Sequence, residues 1–147
     1  VKKWINFRHR LVPYLYHTAC QTHQSGIPMI RPLVMEYPKD PIAKIQNLSY
    51  MLGDALLISP GFDRDEYELY LPEGRWQDIE SKEVYEGMTF VHIENKAFAD
   101  GGTSLRVFQK EGTSIPLFAQ KEVLHVPAQL WKQEDLEFMT FQKKDVD

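Results

Sequence analysis

Apolar residues recur at intervals of three and four from Lys2 to Ser25, placing Trp4, Phe7, Leu11, Leu15 and Ala19 on one helical face. Gly26, which can take the left-handed cap conformation, and Pro28 predict where that helix stops. Pro13 lies inside the pattern and removes a backbone donor while crowding the preceding turn. A kink or a fresh helix start is expected there, because a mid-helix proline costs roughly 3 kcal/mol. Ile27 to Tyr37 (IPMIRPLVMEY) is a nearly continuous apolar run, the pattern of a strand covered on both faces as in parallel α/β sheets. Pro28 and Pro32 limit its pairing, since each lacks a ladder donor. Asp40-Pro41 then reads as a capped helix start, with Ile42, Ile45, Leu48 and Leu52 along one face and Gly53 as its end.

From Ala55 onward the period becomes two. Tyr67, Leu69 and Leu71 alternate with Glu66, Glu68 and Tyr70; Thr89, Val91 and Ile93 with Phe90 and His92; Leu105 and Val107 with Arg106; Leu136, Phe138 and Thr140 with Glu137 and Met139. Pro72-Glu73-Gly74, Glu86-Gly87, Gly101-Gly102 and Glu111-Gly112 separate these runs as turns. Short strands at this spacing predict an antiparallel β-sandwich, and no internal repeat is visible. The two halves sit together awkwardly. A strand apolar on both faces needs neighbours on both sides, and a lone one presents an edge that folded proteins avoid. Residues 1–53 therefore read as the end of a larger α/β domain.

Composition narrows the picture without deciding it. The chain of 147 residues is 43% apolar and 26% charged, ordinary for a globular protein. A formal charge of −4 gives no basic footprint for nucleic acid. The longest uncharged apolar stretch, Ala55 to Ile58, is far too short to span a membrane. Cys20 is the one cysteine, so no internal disulfide is available and nothing requires an oxidising compartment. Val1 opens inside a helical pattern without a methionine or a charged-then-apolar leader; a fragment or processed chain is expected, with a cytoplasmic location.

Three segments, in order, carry a family resemblance. Arg10-Leu11-Val12-Pro13-Tyr14-Leu15-Tyr16 is similar to the helix before the last barrel strand of glycoside hydrolase family 31. Gly26-Ile27-Pro28 through Arg31-Pro32-Leu33, then Glu36-Tyr37-Pro38 and Asp40, resembles that strand and its exit. Tyr50 to Asp54 with Leu57-Ile58-Ser59-Pro60 resembles the passage into the following sandwich, continued by Tyr70-Leu71-Pro72, Gly74, Trp76, Asp78 and Glu111 to Pro116. Ala99 to Thr103 departs from the pattern, and Lys121 to Asp147 matches only loosely.

The resemblance implies an α+β segment of a retaining, exo-acting α-glycosidase that releases terminal glucose or xylose from α-linked oligosaccharides. Residues 1–53 would be the last helix–strand–helix of a (β/α)8 barrel, 54–120 a proximal β-sandwich, and 121–147 the start of a distal β-domain. A retaining enzyme sets two carboxyl groups about 5–5.5 Å apart. In the family both precede the segment beginning at Val1, so no catalytic residue is assigned here, no substrate-binding residue is known, and no metal or cofactor is expected. The implied partners are the rest of the barrel and, through it, the oligosaccharide; an unpaired barrel strand would favour an oligomer. The alternative is a non-enzymatic β-module that binds carbohydrate or protein, with the first 53 residues as a helical adaptor.

Individual residues receive structural readings. Arg31 and Glu36 are five apart, on opposite sides of an ideal strand; the functional reading points one at the sugar site, and the reading taken is structural, an ion pair or a backbone-bonding arginine that ties strand to helix. Asp40 is taken as a helix cap. His9, His17, His23, His92 and His125 lack metal spacing. Asp63, Asp65, Glu66 and Glu68 invite calcium but lack the loop pattern, and are taken as a solvated strand face. Trp76 beside Asp78 suggests sugar stacking, against which a core tryptophan is preferred. Cys20, without evident cationic neighbours, is taken as inert.

Overall fold

The computed structural model describes residues 2–61, 64–95, 105–119 and 128–145. The chain divides into two compact units, one of residues 1–28 with 114–140 and one of 29–113 with 141–147.

The first unit opens with helices α1 (Lys2–Arg10) and α2 (Val12–Ser25). Leu11 separates them and Pro13 sits in the first turn of α2, where its missing N–H has no helical acceptor to lose, so the proline starts a helix instead of kinking one. Gly26 ends α2 at φ 75°, donating its N–H to the Thr22 carbonyl, the left-handed cap that the sequence predicts. The buried stripe is Leu11, Tyr14 and Thr18. Ala19, expected on the core face, is exposed. Strands β9 (Thr113–Phe118) and β10 (Leu136–Phe141) pair in this unit. Trp131 stands edge-on to Tyr16 and to Phe118, with ring centroids 5.6 and 5.0 Å away, tying helix to strand. Arg10 donates to the Phe118 carbonyl and pairs with Glu137. Phe138 is exposed, while Met139 and Phe141 are half-buried.

The second unit is an antiparallel two-layer structure. A six-stranded sheet takes the order β1-β2-β3-β8-β5-β6, from Ile30–Pro32, Tyr50–Leu52, Leu56–Ser59, Arg106–Lys110, Arg75–Asp78 and Val84–Glu86. The ladder of β4 (Glu66–Leu71) with β7 (Thr89–Glu94) forms the other layer. Met51, Leu57, Trp76 and Phe108 of the large sheet share one core with Tyr67, Leu69, Leu71 and Ile93 of the small one. This is the arrangement expected of a β-sandwich; Tyr67, Leu69, Leu71, Val91 and Ile93 face inward as the period-two pattern marks, whereas Tyr70 of the alternate set is also buried and Thr89 is exposed.

Residues 27–53 depart from the sequence reading. Ile27 to Tyr37 is not one strand: β1 is three residues long, and Leu33–Glu36 forms a short helix, α3. Pro32, extended at φ −62° and ψ 150°, is the helix N-cap, and Leu33 turns fully into the core. Nor is the run covered on both faces, since Ile30 is 60% and Met35 47% exposed. β1 pairs antiparallel with β2, where a parallel partner was expected. The helix expected from Asp40 to Leu52 is a single turn: Ile45 and Gln46 donate to the Ile42 carbonyl, and then the Gln46 side chain accepts the N–H groups of Asn47 and Leu48 and diverts the chain. Leu52 lies in β2 and Gly53, at φ 64°, turns the β2–β3 hairpin, so the expected helix–strand–helix does not form. The strand buried on both faces is β3, whose four residues are all buried between β2 and β8.

Candidate functional site

The chemistry of the second unit concentrates where α3 leaves the core. Arg31 is 3% exposed, and its Nη1 donates to Glu36 at 2.8 Å and to Asp54 at 2.5 Å. Burial disfavours the guanidinium cation, yet hydrogen bonds to Asp54 and Glu36 and their charges outweigh it and raise the pKa, so Arg31 stays charged. Of the two structural readings taken from the sequence, the ion pair is present. Its geometry differs from the expectation, because the helical turn of α3 brings Glu36 back onto Arg31 where a straight strand would have separated them. Asp54, in the β2–β3 turn, completes the group and was not anticipated.

Four residues beyond Glu36, Asp40 accepts the N–H of Ile42 at 2.9 Å and of Ala43 at 3.3 Å through Oδ1, capping the turn as expected. Its Oδ2 accepts the Tyr70 hydroxyl at 2.6 Å, a partner thirty residues away in sequence. Burial by itself would raise the Asp40 pKa; the Tyr70 and backbone donors prevail and lower it. The same contact, after burial, pushes Tyr70 up to about 12. Between these groups lies a cleft of about 410 Å³, with Glu36, Tyr37, Lys39 and Pro41 along one wall and Glu73 and Met88 on the other. The Tyr37 phenol is raised by burial and by the charges of Glu36 and Glu73.

The other candidates resolve into structural roles. Trp76 is fully buried and donates its indole N–H to the Pro72 carbonyl at 2.8 Å, a core residue and not a stacking surface. Asp78 is buried and accepts from the N–H groups of Glu80 and Ser81, holding a turn. Glu66 and Glu68 lie on the solvent face of β4, as expected; the ladder register sets His92 opposite Glu68, 2.7 Å away, and Glu94 opposite Glu66. That contact, with the charges of Glu68, Glu66 and Glu94, raises the His92 pKa despite desolvation. The sequence pattern gives the face but not this partner. His17, His23 and Cys20 are exposed. Among the described residues no group of His, Cys, Asp and Glu could hold a metal ion, and no helix is long and apolar enough to cross a membrane. Asp63, His125 and the Gly101-Gly102 turn lie outside the described residues.

Compared with known proteins, residues 26–122 match the glycosyl hydrolase family 31 C-terminal domain. The chain belongs to glycosyl hydrolase family 31. The family match begins at Gly26, the residue that caps α2. Human neutral alpha-glucosidase AB is 35% identical over 113 residues, covering 74% of this chain and 11% of the human protein. Alpha-glucosidase 2 of Bacillus thermoamyloliquefaciens is 33% identical, covering 86% of this chain and 16% of that enzyme. Among solved structures, a cycloalternan-forming enzyme of Listeria monocytogenes superposes with a TM-score of 0.75 at 31% identity, covering 92% of this chain and 13% of that one. The family 31 dextranase of Flavobacterium johnsoniae gives 0.69 at 30% identity, covering 79% and 14%. This family 31 chain thus spans from 11% to 16% of the length of these relatives.

Proposed function

We propose that the chain is the C-terminal-domain segment of a longer retaining α-glycosidase, exo-acting on terminal α-linked glucose or xylose, and that it braces the catalytic barrel without supplying the reacting carboxylates. The match of residues 26–122 to the family's C-terminal domain carries this reading. Relatives named as alpha-glucosidases support glucose, and a metagenomic family 31 alpha-xylosidase, 25% identical with a TM-score of 0.68, supports xylose. The chemistry of the cleft agrees. Double displacement needs a nucleophilic carboxylate and a second carboxyl group that carries a proton to the leaving oxygen. Glu36 is held by Arg31, and Asp40 is kept ionised by three donors, the opposite of what a general acid requires. In this reading α1 and α2 belong to the barrel, and the rest of the barrel is the segment's partner.

The test is an assay of the 147-residue chain beside a longer clone of the same reading frame, on 4-nitrophenyl α-glucoside and α-xyloside. The longer protein should release the phenol with retained anomeric configuration, read by proton NMR, while the short chain stays at the blank rate. Turnover by the short chain that vanishes in Glu36→Gln or Asp40→Asn would sink the proposal, as would an inverted product.

A further inference from the structure

We propose that His92, set among three glutamates on the outer face of the β4–β7 layer, is a proton-operated latch: protonated, it holds the Glu66–Glu94 end of that layer shut, and neutral, it lets that end open. The inference goes beyond the proposed activity of the parent and does not depend on it.

The ladder register builds the latch. On the outward face Glu66 stands directly across from Glu94, and the next outward pair is Glu68 with His92. Like charges directly opposite destabilise a strand pair, whereas opposite charges support it. His92 Nδ1 lies 2.7 Å from Glu68, and its Nε2 lies 3.6 Å from Glu66 and 3.9 Å from Glu94. One imidazole therefore joins the two strands and reaches every carboxylate of the group. Arg106 of β8 also meets the end of β7, but it donates to the Glu94 carbonyl and pairs with Asp78. Among the described residues, His92 is the one cation within ion-pair reach of Glu66 and Glu94. Imidazole is also the side chain whose charge ordinarily changes between pH 5 and 8.

The same end of the layer is weakly closed. Asn95, next after β7, donates its backbone N–H to the Asp65 carbonyl and its side-chain amide to the Arg64 carbonyl. Its Oδ1 is buried and finds no hydrogen-bond partner among the described residues, which is costly. Segments that carry such costs open before the rest of a domain. Ile93 and Tyr67 lie immediately inside and belong to the core, so opening here uncovers the interior of the sandwich. Protonation favours the closed form. The hydrogen bond to Glu68, opposed by desolvation and aided by the charges of Glu68, Glu66 and Glu94, raises the folded His92 pKa above 6.5. The stabilisation is therefore complete below about pH 6.5 and is lost as pH rises through the folded value.

The experiment follows hydrogen exchange of the nitrogen-15-labelled full chain by NMR between about pH 5.5 and 8, with rates corrected for the intrinsic chemistry of exchange. Because the group is open to solvent, the effect is modest: protection of the Asn95 amide should fall about twofold to fivefold across this range relative to His92→Gln. Glu66→Gln removes the like-charge pair and should shrink the fall by raising protection at the alkaline end. The Gly26 amide, which caps α2 in the other unit, should not distinguish the wild type from His92→Gln. Identical Asn95 profiles in the wild type and His92→Gln, a fall that Glu66→Gln leaves untouched, or an equal loss at Gly26 would each overturn the latch.

Discussion

Replacing Arg31 with methionine removes a cation whose side chain is 4% exposed and leaves behind two carboxylates in different surroundings: Glu36 is 26% exposed and Asp54 is 60% exposed. Breaking a buried ion pair typically costs about 3–5 kcal/mol, because the abandoned charge cannot recover its water. Asp54 can recover most of its water, so its share falls toward the surface range of about 0–1 kcal/mol. Glu36 recovers less, and loss of a charge-assisted hydrogen bond there is worth about 1.5–3 kcal/mol. The expected total for Arg31→Met is about 2–4 kcal/mol, with the Arg31–Glu36 coupling larger than the Arg31–Asp54 coupling, although the Asp54 contact is the shorter. Guanidinium unfolding followed by the fluorescence of Trp76, fully buried in the same unit, reads this directly when combined with Glu36→Gln and Asp54→Asn in double-mutant cycles. Equal couplings to the two carboxylates, or an Arg31→Met midpoint unchanged from the wild type, would refute the reasoning that burial, and not distance, sets the strength of this pair.

Tyr70→Phe should cost about 1.5–3 kcal/mol at neutral pH by urea unfolding, since it strips Asp40 of a donor. Because the folded Tyr70 pKa is raised to about 12, its stabilisation is complete below pH 10 and is lost as pH climbs toward 12; the variant should lack that alkaline loss. The lowered Asp40 pKa acts at the other end, contributing stability above about pH 4 that falls away on acidification, and less of it should remain in the variant. Gly87→Ala should destabilise by about 3 kcal/mol or more in a thermal melt, whereas Gly26→Ala, with nothing within 4 Å of the added carbon, should cost only the left-handed backbone penalty of about 1–2 kcal/mol. In an NMR titration the His92 ring should ionise above the ordinary histidine value, and Glu68→Gln should bring it back toward 6.5.

What could be read from the sequence follows from how local each cause is. Pro13 and Gly26 act through their own backbone, so the start and end of α2 were legible in the residues themselves. The alternation along Glu66–Leu71 depends only on strand geometry, and it marked Tyr67, Leu69 and Leu71 correctly as core. Ile27 to Gly53 was harder, because an apolar run cannot say whether a proline within it interrupts a strand or caps a helix. Pro32 does the latter, and the Gln46 side chain ends the following turn through contacts that no periodicity encodes. The site suffered most. Asp54 on Arg31, Tyr70 on Asp40 and Glu73 across from Tyr37 are all brought together by the fold, so Arg31, Glu36 and Asp40 could be singled out from the chain but not Asp54, Tyr70, Tyr37 or Glu73.

The order of strands in the large sheet carries a consequence for synthesis. β3, apolar in its first three residues and buried on both faces, pairs on one side with β2 immediately before it, but on the other with β8, where Leu56 meets Gln109 about fifty residues later. At about 5–20 residues per second, a ribosome would deliver the β2–β3 hairpin and then need roughly three to ten seconds to supply the strand that closes it. For that interval Leu56-Leu57-Ile58 offers neighbouring chains a bare, sticky edge without proline or charge to blunt it. Crowded polysomes making this protein would therefore lose nascent chains to aggregation at this hairpin first, and a chaperone that shields four residues for a few seconds would rescue most of them.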